Sequence, residues 1–89
     1  MDDLKENVKQ IISILDVIIT EDDLTVYQRL KESYMTALSL LNHNENLSQL
    51  KLEIKANIRM LMEAPPKDKE LGLKLIYLMD DFHKKLANR

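Results

Sequence analysis

The stretch Leu47–Met62, LSQLKLEIKANIRMLM, decides the fold because it is apolar on two sides. At 100° per residue, Leu47, Leu50, Ile54, Ile58, Leu61 and Met62 fall within one arc of roughly 120°. That arc is the stripe a helix buries. Leu52, Ala56 and Met60 recur at i, i+4, i+8 on the far side, with Lys51, Lys55 and Arg59 as a ladder between them. A helix with two apolar faces is either central in its own bundle or keeps one face for a contact.

The flanking breaks set this helix apart. Asn46 is a suitable N-cap, and Pro65-Pro66 ends the helix, because the residue before a proline is pushed out of helical geometry. Pro66 can open a fourth helix at N1, where its missing N–H costs nothing. On that helix Leu71, Leu75, Leu78, Met79, Phe82 and Leu86 share one face, beside Gly72, which would permit close helix approach. Lys84, Lys85 and Arg89 suit its negative C-terminal end.

Towards the N-terminus, Leu4, Val8, Ile11, Ile12, Leu15, Ile18 and Ile19 follow helical spacing after a capping Asp2 or Asp3. The run is rich in β-branched residues, but the adjacent pairs Ile11-Ile12 and Ile18-Ile19 defeat strand alternation. Thr20-Glu21-Asp22-Asp23 breaks this helix and supplies caps for the next. There, from Leu24, Tyr27, Leu30, Tyr34, Leu38 and Leu41 face inward, flanked by Val26, Met35 and Ala37, up to the polar stop Asn42-His43-Asn44.

The pattern predicts an all-α, antiparallel, up-down-up-down four-helix bundle, with helices near 3–20, 23–42, 46–63 and 67–87 and no strand. It forms one domain over residues 1–89, without repeat or linker. The predicted core is Ile11, Leu15, Ile18, Tyr34, Leu38, Ile54, Ile58, Leu61, Leu75, Leu78 and Phe82.

Composition agrees. One Gly and two Pro in 89 residues leave little material for hairpins. With no Cys, a disulfide framework and thiolate chemistry are excluded. The net charge of −2 divides unevenly: residues 1–46 carry −5 and residues 47–89 carry +3. That balance does not suit a general nucleic-acid binder. No apolar run approaches the length of a membrane span, and the acidic start is unlike a signal peptide, so a cytoplasmic location is expected.

No chemical signature accompanies the pattern. His43 and His83 are the only histidines, and neither has a second ligand at metal-site spacing. Asp80-Asp81 beside His83 resembles an acid–base group, yet neighbouring helical residues point in different directions. No catalytic residue, metal or cofactor is expected. Leu73 and Tyr77, an i, i+4 pair, lie off the core stripe of the fourth helix. Together with Leu52, Ala56 and Met60, bordered by Lys51, Lys55 and Arg59, they are predicted to form one protein-contacting surface across the Pro-Pro turn.

Val8-Lys9-Gln10-Ile11, the Tyr27, Leu30, Tyr34, Leu38 succession, the polar stop before the third helix and Lys67-Asp-Lys-Glu-Leu71 also carry a family resemblance. By helix lengths and apolar spacing over most of its length, the chain resembles the enterocin A-type immunity proteins that protect producers of pediocin-like bacteriocins. The resemblance implies a cytoplasmic, non-enzymatic bundle that engages a membrane sugar-permease receptor once the bacteriocin has bound there. The family places target specificity in the C-terminal half and an extended tail; this chain departs there, reaching Arg89 directly after the fourth helix. The other expectation is a homo-oligomeric regulator or adaptor of a phage or mobile element, self-associating through the third and fourth helices.

Overall fold

The computed structural model describes residues 3–22, 24–43 and 48–87, with side chains at 4–22, 24–43 and 56–87. Four helices follow in order: α1 (Asp3–Glu21), α2 (Thr25–Asn42), α3 (Ser48–Glu63) and α4 (Lys69–Ala87). No strand occurs among the described residues. Each helix starts or ends within two residues of its predicted limit. The β-branched run of α1 is helical throughout, as its 3.6-residue period requires.

Neighbours run round the bundle in chain order, α1 packing on α2 and α4, and α3 on α4 and α2. Cross-links agree with the antiparallel sense, Tyr27 early in α2 reaching Ala64 just past the end of α3. Asp16 of α1 pairs with Lys31 of α2, and Asn57 Nδ2 of α3 donates to Ser33 Oγ of α2 at 2.8 Å. Asn7 at the start of α1 donates to Asp81 near the end of α4 at 2.9 Å.

The core is continuous from Leu4 to Leu86. Ile11, Leu15, Ile18, Tyr34, Leu61, Leu75 and Phe82 are buried as predicted, and Val8, Tyr27, Leu30, Ala37 and Met79 join them. Tyr34 and Phe82 cross the middle edge-to-face, ring centroids 6.1 Å apart. Leu38, Ile58 and Leu78 correct the predicted list, for they are only half-buried against this core. In each case a neighbour nearer the helix-facing direction takes the central place: Ala37, Leu61 or Met79. Met62, assigned to the core stripe, is 65% exposed, because it lies 100° round α3 from the buried Leu61. Ile54 lies outside the described side chains, as do the proposed caps Asp2, Asp3 and Asn46.

The caps also differ from expectation. The N-cap of α2 is Leu24, which makes no side-chain capping bond. Asp22 instead turns back, and its carboxylate accepts the Lys67 N–H at 3.2 Å. Pro66 is not at N1 of α4. Asp68 caps that helix, Oδ1 accepting from the N–H groups of Glu70 and Leu71 at 3.1 and 3.2 Å. Gly72 does permit a close approach, but to the Pro66 ring rather than to a helix. A Cβ there would stand 2.9 Å from Pro66 Cγ.

Candidate functional site

The most apolar concavity described lies where the Pro65-Pro66 turn folds back on α4. It is an apolar groove of about 300 Å³ lined by Pro65, Pro66, Lys69, Gly72, Leu73 and Ile76. Its shape follows from the chain's three rarest backbone residues. The prolines hold the turn rigid, and Gly72 lets the Pro66 ring settle against α4, leaving a trough between turn and helix. Two hydrogen bonds pin the turn from the other half of the bundle. Asp22 holds the Lys67 amide, and Tyr27 Oη donates to the Ala64 carbonyl at 2.7 Å. Burial, helped by the nearby Asp22 charge, raises the Tyr27 pKa, so its hydroxyl stays a donor. Lys69 is the one charged residue in the lining. Two wider troughs flank α1, but charges of both signs line them, Glu6 with Lys9 and Lys74, and Asp16 with Lys9 and Lys31.

Leu73 and Tyr77 are 69% and 74% exposed on the outward face of α4, with Leu73 forming one wall of the groove. Of the other predicted contact residues, Met60 is half-buried and Ala56 and Arg59 are exposed. Asn57 faces α2 through its bond to Ser33. At 100° per residue, Met60 then falls on the α2 margin of α3, where it is half-buried, and Met62 falls on the α4 margin. Leu52, Lys51 and Lys55 lie outside the described side chains.

Asp80 pairs with Lys84 at 3.0 Å, and Asp81 accepts from Asn7 and pairs with Lys85 at 3.1 Å. The bond from Asn7, then that from Lys85, holds the Asp81 carboxyl below its ordinary pKa. Both carboxylates are thus engaged, and His83 Nδ1 is buried without a hydrogen bond. His43 Nδ1 lies 2.8 Å from the Ser39 carbonyl at the end of α2. Among the described residues no group of three His, Cys, Asp or Glu side chains could hold a metal ion. No helix there is long and apolar enough to cross a membrane.

Sequence reasoning located Leu73 and Tyr77 but missed the groove. The available signal was the spacing of Pro66 and the single Gly72, six residues apart across a turn. It also missed the interior polar set. Asn57 is buried inside α3, and its amide lies beside the wholly buried Tyr34 Oη, which has no partner in good hydrogen-bond geometry. Burial drives the Tyr34 pKa well up, with the nearby Asn57 amide opposing part of the rise.

Comparison of the chain with protein-family models, curated proteins and solved structures finds no match.

Proposed function

We propose that this chain is a cytoplasmic, non-enzymatic protein-binding bundle of the bacteriocin-immunity kind, and that the outward face of α4 is its recognition surface. The carrying observation is the pair Leu73 and Tyr77, exposed one turn apart on α4, with Leu73 also in the wall of an apolar groove. Single exposed hydrophobics are ordinary, whereas a pair adjoining a preformed trough is the arrangement contact sites use. The partner expected from the family resemblance is a permease–bacteriocin complex met at the inner face of the membrane.

Expression in a strain sensitive to pediocin-like peptides tests both parts. Wild-type protein should raise the inhibitory concentration of at least one such peptide. Leu73→Asp with Tyr77→Asp should restore sensitivity while changing stability by under about 0.5 kcal/mol each, as exposed positions do. Unchanged sensitivity across a panel of peptides removes the immunity reading. A double variant that protects like wild type removes this face.

A further inference from the structure

The trough between α1 and α4 carries three charges that the fold leaves uncommitted. Its volume is about 380 Å³, and its floor is hydrocarbon, buried Ile14 and half-buried Leu78. Glu6, Lys9 and Lys74 stand exposed around that floor, with Gln10 and Ser13 beside them. Among the described residues, none of these five side chains makes an ion pair or a hydrogen bond. Lys31, Lys84 and Lys85, by contrast, are each held by an aspartate. Glu6 and Lys9 are three apart on one helix, a spacing that allows pairing, and they stay separate.

The trough also has a direction. The Asn7–Asp81 bond sets the register of the two antiparallel helices, so Gln10 lies level with Leu78 and Ile14 with Lys74. Glu6 is therefore at the end beside that bond, Lys74 is at the other, and Lys9 lies between. From the level of Glu6 to that of Ile14 is about 12 Å, at 1.5 Å per helical residue. An acid at one end, bases beyond it and an apolar middle suit a ligand with the opposite order of charge.

We propose that this trough binds a short free peptide of about three residues, its length set by the reach of an extended chain. The peptide ammonium sits on Glu6, its carboxylate on Lys74, and its middle side chain on Ile14 and Leu78. Three extended residues span about 10 Å, which brings both ends within reach of these long side chains. A single amino acid, whose two charges adjoin one carbon, cannot meet both ends. Lys9, Gln10 and Ser13 supply donors for the peptide carbonyls, and Gln10 and Ser13 can also accept from its N–H groups. Because the walls are solvated, each charged end adds little and the peptide binds weakly. The site uses neither Leu73 nor Tyr77, so it stands apart from the recognition face proposed above.

An NMR titration of the full chain, labelled with nitrogen-15, tests it with the tripeptide Ala-Leu-Ala. Amide signals around Ser13 and Lys74 should move and saturate, with a dissociation constant of about 1–10 mM. Acetylating the peptide's amine or amidating its carboxylate should each weaken binding about threefold, as loss of an exposed ion pair does. Lys74→Met should weaken the free peptide by the same factor and leave the amidated one unaffected. Glu6→Gln should do likewise for the free and the acetylated peptide. Both positions are exposed, so unchanged melting temperatures will show that the fold is intact. Binding that does not saturate by about 50 mM overturns the proposal. So do shifts centred away from the trough, or blocked peptides that bind as well as the free one. Sodium acetate binding as tightly as the tripeptide also overturns it, by marking a plain anion site.

Discussion

Where α1 meets α4, the described packing is mainly hydrocarbon; where α2 meets the described half of α3 and the turn after it, directed hydrogen bonds join them. Ile11, Ile14, Leu15 and Ile18 on one side and Leu75, Met79, Phe82 and Leu86 on the other are all buried, and Asn7–Asp81 is a bond at the margin. Between α2 and α3 the structure instead sets Tyr27 Oη on the Ala64 carbonyl, Asn57 on Ser33, and the unpaired Tyr34 hydroxyl. Apolar burial is non-directional and scales with area, so the first seam tolerates small shifts. A buried polar group must meet its partner in the right geometry or lose free energy, so the second seam specifies one alignment of α3.

The comparison breaks most visibly at Phe82, which joins the apolar seam to Tyr34. Phe82→Ala should cost about 3–5 kcal/mol in denaturant unfolding, since it leaves a cavity as well as losing transfer energy. An unchanged midpoint would mean that the apolar seam does not carry the fold. In the polar seam, Tyr27→Phe should cost about 1–2 kcal/mol, because the Ala64 carbonyl loses its donor in a part-buried place. A neutral result would show that water replaces the hydroxyl there.

Tyr34→Phe sharpens the contrast with the opposite sign. It removes a buried hydroxyl that makes no hydrogen bond, and should leave stability unchanged or raise it by up to about 1 kcal/mol. A loss as large as that of Tyr27→Phe would reveal a partner for the hydroxyl. The smallest effect concerns acid. Asp81 has its pKa lowered in the fold, so the unfolded chain takes up its proton at higher pH. Its stabilisation is complete above its ordinary value near 3.8 and is lost as pH falls through the lowered one. The melting-temperature gap between wild type and Asn7→Ala should be widest above about pH 4 and narrow below it. A gap constant with pH would separate Asn7 from Asp81.

How much could be read beforehand differs between these same regions. Ile11, Leu15 and Ile18 announce their burial because a sustained period of 3.6 leaves one face for the core. On α3 the period is present on two faces, and Met62 lies at the exposed edge of its arc, away from the edge that holds buried Leu61. Leu73 and Tyr77 were legible as residues outside any stripe. Their neighbour across the turn was not, since the phase of α3 relative to α4 depends on which side of α3 touches α2.

The chain's periodicity and its three breaks alone determined four helices, their lengths within two residues and their antiparallel order, because these depend on neighbours in sequence. Only the tertiary structure decided that Asp22 would hold Lys67 rather than cap α2, and that Asn57 would be buried against Ser33. Packing alone also drew the Pro66 ring onto Gly72 to open a groove beside Leu73. The physical reason is range. Helix formation is set by dihedral preference and spacing over a few residues, whereas a carboxylate finds its amide 45 positions away only after four helices have fixed their phases.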